Sequence, residues 1–333
     1  MIKIILNIIG VKMSNEYIKI IGDAEKYYEE GKYVDANNLY KQAYRKYSSL
    51  FTDEIKEHFA KTIYEVDIRD SLSYDDALEA KISFLSTLVD QKDTTEGQSC
   101  PYTESIITIM KSCQKNIEKT LYWSKKLDPH LLNPDPIKNN SYSDRQTWYS
   151  NTTKALLKSK EFNQCLKLSK EALDNVDGIM NYDQYWFMFR VAICNRELGN
   201  YEEAVNDFKE VLKYKNVWSN QKELAETYYL MDDYDNALKT CIESALNNSK
   251  VILDKVKLYE LMELIFLEKG MDKEAQDISF LIHSIRLNDN SSIVDDETAF
   301  ELEKAGYDIS DIDYVSIEKK LREDWMKILG DLD

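Results

Sequence analysis

Apolar residues recur three and four apart through residues 17–47, and the pattern is interrupted once, at Gly31. That spacing predicts two helices, each with one face toward a core, and glycine accepts the positive φ at which one helix ends and the next begins. The same helical spacing returns at 51–70, through Ile55, Phe59, Ile63 and Val66, at 74–90, at 105–127 and across 185–248. In the tail, 316–333, a single stripe of Ile317, Leu321, Trp325, Ile328 and Leu332 predicts an amphipathic helix that must be covered. Packing as a cap on the last helix pair is one reading of that stripe, since a repeat array needs an end with a polar outer face; an intermolecular contact is the other.

One two-helix pattern repeats. Gly31-Lys-Tyr33-Val-Asp-Ala36-Asn-Asn-Leu-Tyr40 returns as Gly199-Asn-Tyr201-Glu-Glu-Ala204-Val-Asn-Asp-Phe208, and again as Asp232-Asp-Tyr234-Asp-Asn-Ala237-Leu-Lys-Thr-Cys241. A turn residue, an aromatic two later and an alanine three after that have a mechanical meaning: the aromatic covers the corner and the alanine lets the second helix lie close. Ala24, Ala192 and Ala225 stand at a matching offset before each turn. The pattern resembles the tetratricopeptide repeat family, whose helix-turn-helix units stack into a superhelix. The resemblance implies an all-α solenoid of helix pairs. The family's small, aromatic and small positions fall on Ala24, Tyr27 and Ala36, and on Ala225, Tyr228 and Ala237. The copy at 185–215 departs from the family with Asn195 at the aromatic position, and the family's proline after the second helix is missing throughout. Degenerate copies are expected at 148–174, with Phe162, Cys165 and Ala172, and at 257–286, with Gly270, Ala275 and Ile282.

The expected organisation is an N-terminal extension at 1–13, a helical lobe at 14–127 containing the unit 17–47, a linker at 128–146, a repeat array at 147–287, and an acidic loop with a capping helix at 288–333. The linker rests on the grouping of Pro101, Pro129, Pro134 and Pro136 and on the Asn- and Ser-rich stretch after them. Residues 91–104 read as a polar loop.

Only 9 Gly and 4 Pro in 333 residues leave little material for the turns of many short strands, which favours helices. A formal charge of −17 repels a phosphate backbone, so direct contact with nucleic acid is not expected; it is compatible with a basic protein surface and equally with a solvated exterior. Cys100, Cys113, Cys165, Cys194 and Cys241 are far apart and form no C-x-x-C, which signals neither a disulfide framework nor zinc and fits a reducing cytoplasm. The apolar run in residues 1–12 is too short to span a bilayer and is followed by no small-x-small cleavage site. An upstream start before Met13, or a segment docking on the core, accounts for it better than targeting.

No phosphate loop, dinucleotide fingerprint, nucleophile elbow or H-E-x-x-H motif occurs. His58, His130 and His283 stand singly in separate segments, and neither Asp295-Asp296-Glu297 nor 308–313 forms a glycine-centred calcium loop. No enzyme, metal or cofactor is expected. The 23 tyrosines fall in large part at repeat positions such as Tyr27, Tyr33, Tyr40, Tyr201, Tyr228 and Tyr234.

In proteins of the resembled family the first helix of each pair lines the inner surface that holds a peptide. On this chain that places Trp186, Arg190, Ile193, Arg196, Lys222, Glu226 and Tyr229 at the groove. Arg190, Arg196 and Lys222 suit a carboxylate or phosphate on a ligand, or pair internally with neighbouring acids. The family's Lys and Asn carboxylate clamp is not reproduced. The expected function is a non-enzymatic scaffold or adaptor holding a protein segment. The alternatives are a regulatory component of a nucleic-acid-directed bacterial defence or stress system, which an electropositive stripe would favour, and a helical enzyme.

Overall fold

The computed structural model describes residues 15–71, 73–135, 142–175, 181–247, 253–288, 300, 303–304, 306 and 313–332, which form α-helices joined by turns. The segment 1–13, Asp295-Asp296-Glu297 and residues 308–312 lie outside the described residues. The chain divides into two compact units, Met1–Glu161 with Asp174–Met180, and Phe162–Leu173 with Asn181–Asp333.

In the first unit, α1 (Asn15–Glu29) and α2 (Tyr33–Tyr47) form an antiparallel pair around Gly31, whose φ is +70°. The Lys32 N–H donates to Tyr27 O at 2.8 Å and the Gly31 N–H to Tyr28 O at 3.0 Å, which satisfies carbonyls that the end of α1 would leave open. Ala24, Ala36 and Ala43 are wholly buried along the seam. Next comes α3 (Asp53–Ile63), capped by Thr52, and it runs into one π turn at Tyr64–Ile68. Asp75 caps α4 (Asp76–Leu85).

The helical pattern at 105–127 resolves into two helices, α5 (Pro101–Ser112) and α6 (Ile117–Ser124). The break has a local cause: the Asn116 side chain accepts the Lys119 N–H at 3.1 Å and so starts a new helix. Residues 101–104, read as loop, are the first turn of α5, where proline loses no hydrogen bond. A single turn, Pro129–Leu131, precedes α7 (Asp144–Lys158), which Ser143 caps. Arg145 gathers the carbonyls of Pro129, His130 and Leu132, and the Trp148 indole N–H donates to Ser124 O at 2.9 Å. The described part of 128–146 is thereby held on the helices of this unit.

The second unit contains α8 (Phe162–Asn175) as far as Leu173, α9 (Asn181–Glu197), α10 (Tyr201–Tyr214), α11 (Trp218–Leu230), α12 (Tyr234–Leu246), α13 (Val256–Glu268), α14 (Asp272–Asn288) and α15 (Tyr314–Leu332). Helices α9 to α14 form three successive pairs, α9/α10, α11/α12 and α13/α14, stacked through α10 on α11 and α12 on α13. The turn residues Gly199, Asp232 and Gly270 all have positive φ, as does Lys160 after α7. Each carries the same two closing bonds as Gly31; at Asp232, for example, the Asp233 N–H donates to Tyr228 O at 3.0 Å and the Asp232 N–H to Tyr229 O at 3.1 Å. Ala192, Ala225, Cys165, Ala204, Ala237 and Ala275 are buried at the small positions. The fold is all-α, a succession of tetratricopeptide-like helix-turn-helix pairs. At the departing position Asn195 is buried and donates to Asp207 Oδ2 at 2.7 Å, so a hydrogen bond across the pair replaces an aromatic contact.

Helix α15 packs on α12 and α14 with Leu321 and Trp325 buried. Arg322 donates to Ala245 O and Leu246 O, and Lys255 to Ala245 O and Asn247 O. These are the last carbonyls of α12, which lack partners within the helix and favour cations. The Tyr259 hydroxyl donates to Glu318 at 3.0 Å in the buried interface.

Candidate functional site

The repeated turns set a register on the first helices of the three pairs, α9, α11 and α13. Counting back from Gly199, Asp232 and Gly270, equivalent residues are Arg196, Tyr229 and Leu267, then Ile193, Glu226 and Leu264, then Phe189, Lys222 and Glu260, and at the far end Trp186, Ser219 and Lys257. Because each helix enters its turn in the same way, these residues share one face.

Contacts across the helices agree with that register. Arg196 of α9 reaches two carboxylates of α11, Glu223 at 2.7 Å and Glu226 at 3.3 Å, and also holds Glu197 at 3.0 Å. Lys222 lies 2.6 Å from Glu226 and 3.3 Å from Glu223. Burial works against the charge of both cations, but Glu223 and Glu226 outweigh it and hold both pKa values above their ordinary range. Both cations therefore keep their charge and are engaged by glutamates within the cluster. Beside it, the Tyr185 hydroxyl donates to Asn220 Oδ1 at 2.9 Å, a second tie between α9 and α11.

Arg196, Lys222 and Glu226 of the sequence-derived set are thus brought together by internal pairing, and Glu223 joins them. Arg190 is buried with its guanidinium 5.4 Å from the Phe187 ring centre, and Ile193 is buried in the helix packing. Neither presents itself to solvent. Trp186 is half-buried, in edge contact with Tyr185 and Phe189, while Tyr229 packs on Tyr234 and on the core of the later pairs. Sequence reasoning missed Leu264 and Leu267, which are 48% and 51% exposed on α13. Counting back from Gly270 finds both, since they match Glu226 and Tyr229 one pair earlier.

Chemically this face is a charged patch beside an apolar step. Among the described residues, no group of three or more His, Cys, Asp or Glu side chains is arranged to hold a metal ion, and no helix is long and apolar enough to cross a membrane.

No protein-family model and no curated protein sequence matches the chain. Among solved structures it is similar to a tetratricopeptide repeat protein from Parabacteroides merdae, with 13% identity, a TM-score of 0.38 and coverage of 94% of this chain and 100% of that one. It is also similar to NprR in complex with its cognate peptide NprX, with 12% identity, a TM-score of 0.41 and coverage of 97% of this chain and 99% of that one.

Proposed function

We propose that the chain is a non-enzymatic interaction scaffold that binds a protein segment along the face formed by α9, α11 and α13. The observation that carries this reading is the continuity, in one register on consecutive helices, of Tyr229 with the exposed Leu264 and Leu267 beside the Arg196–Glu223–Glu226–Lys222 cluster. A single exposed leucine needs no explanation, but adjoining apolar side chains rimmed by polar ones on a repeat face are a recurring form of protein-binding surface. The nucleic-acid-directed alternative gains no support here, because Arg196 and Lys222 are already held by carboxylates. A cytoplasmic setting belongs to the same proposal, since five cysteines far apart in sequence are all buried and form no C-x-x-C.

Site-specific cross-linking tests it. A photoreactive amino acid placed at Leu264 is expected to capture a protein in cells, whereas the same group at Lys213, exposed on α10, is not. Capture from Lys213 alone, or equally from both positions, would remove the face from consideration.

A further inference from the structure

The charges of this face are not distributed evenly in depth, and the asymmetry bears on what the face accepts. Three carboxylates meet two cations in the cluster: Glu197, Glu223 and Glu226 against Arg196 and Lys222. Arg196 is 8% exposed and Lys222 20%, whereas Glu223, Glu226 and Glu197 are 20%, 33% and 36% exposed. The guanidinium lies beneath the carboxylates. At the cluster a ligand approaching from solvent thus meets the carboxylates of Glu226 and Glu197 before the Arg196 guanidinium, while Lys222 is as exposed as Glu223 and Lys257 stands exposed further along the face, on a molecule whose formal charge is −17. The apolar step of Leu264 and Leu267 follows on α13, which packs directly against α11. Lys269, just after α13, pairs with Asp235 in the first turn of α12, which follows the turn that ends α11.

We infer that the occupant of this face is a basic segment with apolar side chains: a Lys or Arg set against Glu226 and Glu223, and neighbouring apolar residues on Leu264 and Leu267. The inference rests on the proposed function and reverses the ligand charge that Arg190, Arg196 and Lys222 suggest in the sequence, because those cations are buried or paired. Charge complementarity supplies register and association rate, and the apolar step supplies the contact that a cation alone lacks. At about 3.3 Å per residue, an extended segment of about twelve residues spans roughly 40 Å, enough to cross three helices packed about 10 Å apart.

The test uses two fluorescent peptides of that length and the full chain: one of alternating Lys and Leu, and a twin with every Lys replaced by Glu. Anisotropy is expected to show binding of the basic peptide and none of the acidic one. Affinity should fall about tenfold in Leu264→Ser/Leu267→Ser and severalfold in Glu226→Gln. Both leucines are exposed, so far-UV circular dichroism should show the double variant folded. Equal binding of the basic peptide to wild type and double variant would mean unspecific adsorption to an acidic protein and would overturn the inference. Failure of both peptides to bind would overturn it as well. Binding of the acidic peptide alone would overturn the charge assignment while leaving the face as a protein-binding surface, a role the cross-linking experiment tests separately.

Discussion

His58 on α3 lies 2.8 Å from Glu25 Oε2 on α1, and the Tyr40 hydroxyl of α2 donates to the other oxygen of the same carboxylate at 2.6 Å. Three helices therefore meet at one acid. Tyr28 stacks on the imidazole with ring centres 4.1 Å apart, Tyr33 lies behind Tyr28, and Glu54, Glu57 and Lys61 are the other charged groups around the pair. The hydrogen bond to Glu25 raises the His58 pKa above 6.5, against the opposing effect of burial. A histidine whose folded pKa exceeds its unfolded one stabilises fully below the unfolded value, and that contribution is lost as pH rises through the folded value. Urea midpoints of the wild type should accordingly fall relative to Glu25→Gln as pH rises from about 6 to about 8; parallel curves would show that the pair carries no linkage. The turns allow a second test at this scale. Space around Gly199 is open, so Gly199→Ala should cost only the positive-φ penalty, about 1 kcal/mol, while Lys160→Gly, at φ +61°, should gain somewhat less. A third concerns Thr152, buried with its hydroxyl lacking a hydrogen-bond partner, as do those of Thr103, Ser105 and Thr147 on α5 and α7. Thr152→Val should leave stability unchanged or raise it by up to about 1 kcal/mol, whereas a loss measured by urea titration would reveal a bridging buried water.

Among the elements, α15 shows how a helix is held when its own amphipathic stripe is short of area. Only Leu321 and Trp325 are fully covered, while Ile317, Ile328, Leu329 and Leu332 pack partially, and the remaining hold comes from Arg322 on the end of α12 and Glu318 on Tyr259. Trp325→Ala should cost roughly 3–5 kcal/mol. Hydrogen exchange should show protection falling in α12 to α14 and unchanged in α1 to α7; a uniform loss would mean that the two units unfold as one. The helix pairs were legible because their information is local: a positive-φ residue, alanines at fixed offsets and an apolar period. The division of 105–127 into α5 and α6 was not, because the apolar period runs on through the break and only the Asn116 cap marks it. The same holds for the turn after α7, where Lys160 does what glycine does elsewhere.

On the scale of the whole molecule, 60 acidic residues against 43 basic ones make self-repulsion a cost that salt should relieve. Raising ionic strength from about 0.01 to about 0.15 M shortens the screening length from roughly 30 to 8 Å, so Tm should rise. A falling Tm would show that ion pairs such as Arg196 with Glu223 and Glu226 contribute more than the repulsion removes. The same arithmetic bears on binding: a basic segment should bind the α9–α11–α13 face more weakly as salt increases.

What the sequence by itself determined is the all-α class, the paired helices, their turns and the small buried seam, because each follows from backbone conformation and side-chain period within a few tens of residues. The register from the turns is also written in the sequence, although the groove residues read from it included Arg190, which lies off that register, and left out Leu264 and Leu267. The tertiary structure alone decided the character of that face. Whether Arg196 waits for a ligand or closes on Glu223 and Glu226, whether Arg190 and Ile193 meet solvent, and whether Leu264 and Leu267 remain uncovered all depend on distances between separate helices. The charge of a residue is written in the sequence, but its partner and its depth are set only by packing.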